Sequence, residues 1–126
     1  MTQLDIYHNY NGKLFCDFFS FLTIYTPLYS EGQEVEIIHR GINMGIANVV
    51  RIKVFPFYDL RDSVSYLNMG KAAQYQAAAL NKQHNYGNTI ERNESIMHMI
   101  IGWSQRNMEA QNDLMKDWWQ LLTHNS

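Results

Sequence analysis

Apolar and polar residues alternate along the first half of the chain and follow a helical period near its end. Leu4–Tyr10 and Leu14–Tyr25 are rich in apolar, aromatic and β-branched residues, which is typical of strands. The pair Asn11-Gly12 stands between them, and Asn-Gly favours a tight turn because both residues tolerate positive φ. These residues therefore predict an N-terminal β-hairpin.

The most regular alternation lies in Val35–Arg40 and Ile46–Phe55. We predict that these segments form an antiparallel strand pair joined by a turn at Gly41–Gly45. Successive side chains of a strand point to opposite faces. The residues expected on one face of the second strand are Val49, Arg51, Lys53 and Phe55.

The second half of the chain reads mainly as helix. Asp59–Leu67 and Lys71–Gln83 have the composition of helices. Ile96–Trp103 is a short apolar run that contains a glycine, which favours a strand over a buried helix. Asn107–Leu122 has apolar residues at helical spacing, and Asn107 is suited to cap its N-terminus.

A length of 126 residues predicts one domain, here taken as residues 1–126. The predicted elements make residues 1–58 β-rich and residues 59–126 α-rich. Strands followed by helices are the pattern of an α+β domain.

The middle of the chain has a recognisable succession of motifs. Tyr29–Ile37 has the form Tyr-x-x-Gly-x-x-Val-x-Ile, Met44–Ala47 is a small-residue turn, and Phe57–Leu60 is a Phe-x-x-Leu exit. Together with Phe21–Tyr25, similar to the Thr-Ile-Arg strand of the family, this succession resembles ASCH domains over about residues 20–83. These are small barrels related to PUA domains, many of them phage-encoded. The resemblance implies a small PUA/ASCH-like antiparallel β-barrel with flanking helices and a C-terminal amphipathic helix.

The catalytic pattern of the family is not carried over. ASCH domains that deacylate acetylated cytidine have a Gly-x-Lys-x-x-Thr-x-Arg run and a carboxylate. Here Gly12 and Lys13 are followed by no matching threonine or arginine, and Tyr25 stands where the arginine of Thr-Ile-Arg would be. A deacylase would need Lys13 and a carboxylate to converge. We therefore expect no catalytic residue and no cofactor, and the resemblance implies binding of RNA or a nucleotide.

Cations and aromatic rings are interleaved on and beside the central strand pair. Cations hold phosphates and aromatic rings stack on bases, so this pattern predicts a non-enzymatic nucleic-acid binding module. The same pattern also fits an ordinary solvated strand face. The residues predicted to bind nucleic acid are Tyr25, Tyr29, Arg40, Arg51 and Lys53.

A second reading is a protein-interaction module, such as a small viral factor or inhibitor. Methionine and tryptophan on one helix face are typical of interfaces, and equally of a helix packed on its own core. Adjacent helical residues diverge by about 100°, so one of two neighbouring tryptophans is left for a partner or a second copy. The predicted interface residues are Met115, Trp118, Trp119 and Leu122.

The net charge and the cysteine content narrow the possible class of protein further. The net charge of −2 argues against a broadly basic nucleic-acid binder but allows a local basic patch. The single cysteine, Cys16, fits a reducing compartment and is expected to be a small buried residue. The five histidines lack the spacing of a metal site, and His98 is expected to be a satisfied core or edge histidine. We predict a cytoplasmic protein, in the host cell if it is viral.

Overall fold

A computed structural model describes residues 1–61 and 94–124, without the side chains of residues 10, 11, 122 and 124. Its strands are β1 (Gln3–Asp5), β2 (Phe18–Ile24), β3 (Glu34–His39), β4 (Ile42–Pro56) and β5 (Ser95–Arg106). Its helices are two 3-10 helices (Tyr10–Phe15 and Phe57–Asp59) and the α-helix α1 (Met108–His124). The helix predicted at Lys71–Gln83 and most of that at Asp59–Leu67 lie outside these residues.

The described strands form one mixed sheet in the order β1-β3-β4-β5-β2. β1 pairs with β3 in parallel, and the other neighbours are antiparallel. The sheet curls into a half-barrel with α1 at the C-terminal end of the chain. This confirms the predicted class of a small α+β barrel fold.

The predicted pairing of the two central strands is confirmed, but the turn between them is shorter than predicted. β3 and β4 are antiparallel, and only Arg40 and Gly41 lie between them. Both residues have positive φ, 50° and 81°, as a two-residue hairpin turn with the twist of the sheet requires. Ile42 to Gly45 therefore already belong to β4.

The predicted N-terminal hairpin is wrong. β1 and β2 lie at opposite ends of the strand order, and Asn11-Gly12 forms part of the first 3-10 helix. Gly12 does adopt positive φ, at 68°. Gly12 lies in a helical turn, in which the N–H of Leu14 donates to Asn9 Oδ1 at 2.8 Å. The Asn-Gly signal thus identified the positive φ of Gly12 but not the element.

An irregularity in β4 changes the predicted faces of this strand. The register with β5 shifts between Val49 and Arg51, as a β-bulge does. Val49 pairs with Ile101 and is fully buried, whereas Arg51 and Lys53 are exposed. Val49 is therefore not on the same face as the two cations, contrary to the sequence pattern.

The main core lies on one face of the sheet, and a smaller apolar cluster lies on the other. Alternate residues of β3 and β5 are buried, and α1 adds Ala110. The smaller cluster is made by Leu22, Phe55 and Ile96. The main cluster consists of Leu4, Ile6, Leu14, Phe19, Val35, Ile37, Met44, Ala47, Val49, Met97, Met99, Ile101 and Ala110.

The strand and the helix predicted near the C-terminus are confirmed. Ile96–Trp103 lies within β5, and Asn107 immediately precedes α1. The side chain of Asn107 caps the helix, because its Oδ1 accepts a hydrogen bond from the N–H of Ala110 at 3.3 Å. The N–H of Asn107 also donates to Met44 O at 2.9 Å, which ties the start of α1 to β4.

Candidate functional site

The pairing of β4 with β5 places two cations and an imidazole on one face of the sheet. Lys53 is directly opposite His98, and Arg51 is opposite Ile100. Opposed residues in an antiparallel pair project from the same face. One basic group is therefore formed by Arg51, Lys53 and His98. We call this group, together with Ser20 on β2, the basic strand face.

Ser20 joins this group from β2. It pairs with Ile100, and the neighbouring Leu22 pairs with His98. Ser20 is 3% exposed. Among the residues that the structure describes, neither Ser20 Oγ nor His98 Nε2 has a hydrogen-bond partner, although both atoms are buried. An unpaired buried polar atom costs roughly 1–3 kcal/mol, so each of these two atoms lowers the stability of the folded chain.

The electrostatics of the face favour an anion. Burial lowers the pKa of His98, and the positive charges of Lys13, Lys53 and Arg51 lower it further. The three cations thus act on the same imidazole, which stays neutral near pH 7. The opposite charge of a phosphate would be attracted to the same place.

Lys13 lies in the first 3-10 helix and is 8% exposed. Its Nζ donates to Ser20 O at 2.9 Å and lies 5.7 Å from the centroid of the Phe21 ring. Burial lowers the pKa of Lys13 from 10.5 to about 8. The amine therefore joins the first 3-10 helix to β2, the strand that carries Ser20.

The two predicted tyrosines lie apart from these cations. Tyr25 directly follows β2, is 48% exposed, and its N–H donates to Ser95 O at 3.0 Å. The Tyr29 hydroxyl donates to Gln3 O at 2.9 Å. Burial and then the charge of Asp5 raise the pKa of Tyr29. Tyr29 thus anchors the loop after β2 against β1, and Tyr25 is the more exposed ring.

Arg40 is likewise separated from the other predicted cations. It lies in the turn between β3 and β4, where its guanidinium carbon is 5.1 Å from the centroid of the Tyr7 ring. Its Nε donates to Tyr7 O at 3.4 Å. From Ile42 to Arg51, β4 covers about 30 Å at ~3.3 Å per residue. The structure brings together only Arg51 and Lys53 of the predicted nucleic-acid set.

The two neighbouring tryptophans of α1 diverge. Trp118 packs on Phe15, with the ring centroids 5.5 Å apart. Trp119 is 63% exposed and Met115 is 44% exposed. The face of α1 that packs on the domain is instead formed by Ala110, Gln111, Leu114 and Trp118. The predicted interface thus divides into a packed ring and an exposed pair, and the side chain of Leu122 is not among those that the structure describes.

Sequence reasoning missed Ser20 and His98 as a pair. The expectation that His98 is satisfied is wrong, because its Nε2 is unpaired within the described residues. The signal was the strand Ile96–Trp103, in which His98 is the single ionisable residue. Its pairing with β2, which places Ser20 nearby, could not be read from the sequence. Cys16 is exposed rather than buried as expected.

The described residues hold no cluster of three or more histidine, cysteine, aspartate and glutamate side chains suited to a metal ion. None of the helices in this part of the chain has both the length and the apolar character needed to cross a membrane.

Comparison with known proteins supports the fold alone. The fold is similar to the crystal structure of protein EF3133 from Enterococcus faecalis V583, described with the family DUF984. The TM-score is 0.59 at 12% sequence identity, and the match covers 75% of this chain but 65% of that one. The chain therefore spans just under two thirds of that protein. No family model matches the chain, the ASCH family included, and no curated protein matches it. The half-barrel is consistent with a PUA-like fold.

Proposed function

We propose that the chain is a non-enzymatic nucleic-acid or nucleotide binding module of the PUA/ASCH-like type, with RNA as its ligand. The observation that carries the proposal is the basic strand face, where Arg51, Lys53 and His98 share one side of the sheet. The exposed cations would hold phosphates. The cytoplasmic location, the phage origin and the ASCH membership expected from the sequence stay predictions.

Ser20 and His98 give this face a polar floor, formed by two buried side chains. Because the whole chain carries a net charge of −2, binding depends on this local patch, and we expect it to be strongest at low salt.

We expect the double variant Arg51→Ala/Lys53→Ala to bind a short single-stranded RNA about tenfold or more weakly than the wild type, measured by fluorescence anisotropy at low salt. Two lost phosphate contacts also reduce the slope of log K against log salt by about 1.4, at ~0.7 for each contact with a single strand. The variant should keep its melting temperature, because both side chains are exposed.

The matched control is Arg40→Ala/Lys116→Ala, which removes the same charge from two other exposed positions. It should bind RNA within about twofold of the wild type, allowing for the small loss of long-range attraction. Equal losses in both double variants would contradict the assignment to the basic strand face. RNA binding that is absent, or that does not change with salt, would contradict the proposed function.

A second function is favoured by the exposed pair on α1. Met115 and Trp119 are one helical turn apart, and both are exposed. We propose a second copy of this chain as the occupant, because a two-fold contact needs only one self-complementary patch. Burying the Trp119 ring would contribute on the order of 2–3 kcal/mol, and two such rings meet in a symmetric dimer.

Trp119→Asp is expected to convert a dimer into a monomer in sedimentation velocity experiments, with an unchanged circular dichroism spectrum. The charge removes an apolar contact that the free chain does not need for folding. Gln120→Asp adds the same charge at the neighbouring exposed position and should leave the dimer intact. A wild-type chain that is monomeric throughout the micromolar range would rule this candidate out.

A further inference from the structure

A cavity of about 290 Å³ lies between α1 and the hairpin formed by β3 and β4. Its volume is just below the ~300–1,000 Å³ of typical ligand pockets, so it suits a small molecule. Its apolar lining is formed by Ile42, Leu114, Trp118 and Leu121. Ile42 is 56% exposed and Leu121 is 62% exposed, so an apolar group bound there would remove part of both side chains from water.

Two side chains of opposite charge line the same cavity. Arg40 belongs to the turn between β3 and β4, and Asp117 belongs to α1. Within the described residues neither takes part in an ion pair, and the two do not pair with each other. The lining therefore offers one place for an anionic group and another for a cationic group.

The guanidinium of Arg40 is held in position by Tyr7. Its Nε donates to Tyr7 O at 3.4 Å, and its central carbon lies 5.1 Å from the centroid of the Tyr7 ring. The donors that remain are on the two terminal nitrogens, which suit the two oxygens of a carboxylate. A ligand carboxylate would therefore meet a partner that is already oriented.

Two acceptors in the lining suit an ammonium group. His39 is 5% exposed, and its Nδ1 is 2.7 Å from Ile6 O. A carbonyl oxygen only accepts, so Nδ1 carries the proton and Nε2 of the neutral imidazole is an acceptor. This Nε2 makes no hydrogen bond in the part of the chain that the structure describes, and it is not closed off from solvent as His98 Nε2 is. The carboxylate of Asp117 is the second acceptor.

These groups together favour a small zwitterion over other ligands. A wholly apolar ligand would displace water from both charges and leave them without a partner, which is costly. An anion is repelled by Asp117, and a cation is repelled by Arg40. A molecule with a carboxylate, an ammonium group and an apolar side chain matches both charges and the apolar lining.

We propose that this cavity binds a free α-amino acid with an apolar side chain, such as leucine. The carboxylate accepts from Arg40. The ammonium group donates to Asp117 and His39, and the side chain packs against Trp118 and Leu121. Because both charged side chains are exposed to solvent, we expect an affinity in the millimolar range.

The experiment titrates the full chain with L-leucine, leucinamide and N-acetylleucine, followed by NMR at the indole N–H of Trp118. Leucinamide lacks the carboxylate and N-acetylleucine lacks the ammonium group, but both keep the side chain. Leucine should bind saturably, and each analogue about tenfold or more weakly. An analogue that binds as tightly as leucine would assign the cavity to one end of a peptide and overturn the inference. So would the absence of any leucine shift at up to about 10 mM.

Neutral substitutions of the two charged side chains locate the zwitterion. Arg40→Gln and Asp117→Asn should each weaken leucine about fivefold or more. Both positions are exposed, so the chain should still fold. Asp113→Asn is the matched control, since Asp113 is exposed on the same helix but does not line the cavity. Leucine affinity that is unchanged in Arg40→Gln and Asp117→Asn, or that falls equally in Asp113→Asn, would overturn the inference.

Asp117→Lys is expected to change which ligand binds. The added cation repels the ammonium group of leucine and attracts 4-methylpentanoate, which is leucine without that group. This variant should bind 4-methylpentanoate about fivefold more tightly than the wild type does, and leucine more weakly. A damaged helix would not gain affinity for an anion. The inference would be overturned if the variant showed no such gain.

A last arm separates this site from the basic strand face. Arg51→Ala/Lys53→Ala should bind leucine as the wild type does, because Arg51 is about 30 Å along β4 from Ile42 at ~3.3 Å per residue. A loss of leucine binding in this variant would place the ligand on the sheet and overturn the inference. The leucine titration needs no RNA, so a failure of the proposed RNA binding leaves its result unaffected.

Discussion

Gly45→Ala is expected to lower the free energy of unfolding by roughly 3 kcal/mol or more, through overpacking and backbone strain combined. Gly45 has φ of 131°, which disfavours any side chain. A Cβ there would lie 2.9 Å from both Arg106 Cα and Asn107 N, and closer still to Gln105 O. All three atoms are backbone, so no side-chain rotation can relieve the contact.

The contact is severe because three elements meet at Gly45. Gly45 pairs with Arg106 at the end of β5, and its N–H donates to Asn43 Oδ1 at 2.9 Å. The next residue along from Arg106 is Asn107, which caps α1 and bonds to Met44 O. Displacing this backbone would therefore disturb β4, β5 and the start of α1 together.

Gly41→Ala is the control for Gly45→Ala in urea-induced unfolding. Gly41 also has positive φ, at 81°, but a Cβ added there would meet no atom within 4 Å. It should cost only the conformational term of about 1 kcal/mol. Similar losses in the two variants would show that the close approach at Gly45 does not limit stability.

Much of the framework was predictable because it depends on local patterns. The alternation in Val35–Arg40 and the helical period of Asn107–Leu122 identified β3 and α1, and Asn107 was recognisable as a cap. Each signal is contained in a few consecutive residues. The placement of Arg51 and Lys53 on one face followed from the same period of two.

The errors arose where distant pairing decides the structure. Asn11-Gly12 has the backbone freedom of a hairpin turn, but β2 pairs with β5 and not with β1. The bulge after Val49 depends on the register with β5, which no local pattern encodes. For the same reason the sequence could not bring Ser20 to His98 or separate Arg40 from Arg51. The cations of the candidate site, Arg51 and Lys53, were therefore predictable from the sequence. Its polar floor, formed by Ser20 and His98, was not.

Because the amine of Lys13 is buried, the free energy of unfolding changes with pH in the alkaline range. Burial lowers its pKa from 10.5 to about 8 in the folded chain. Below about pH 8 the amine is charged in both states, and the folded state bears the full cost of desolvation. Between about pH 8 and 10.5 the unfolded chain binds more protons, so the free energy of unfolding rises with pH.

Lys13→Met should remove this dependence. At about 1.4 kcal/mol for each pH unit, the wild type is expected to gain about 3 kcal/mol relative to Lys13→Met between about pH 7 and pH 10.5. Urea-induced unfolding of both chains across this range measures the difference. Taking the difference also cancels Tyr29, whose raised pKa acts in the opposite direction above about pH 10 in both chains.

Lys116→Met is the matched control, since it removes a lysine from an exposed position of α1. Its stability relative to the wild type should change by less than about 0.5 kcal/mol over the same range, as expected for a surface substitution. If Lys13→Met follows the same flat course as Lys116→Met, then the amine is not held in a desolvated position. The bond from Lys13 Nζ to Ser20 O, and the burial of Lys13, would then be wrong.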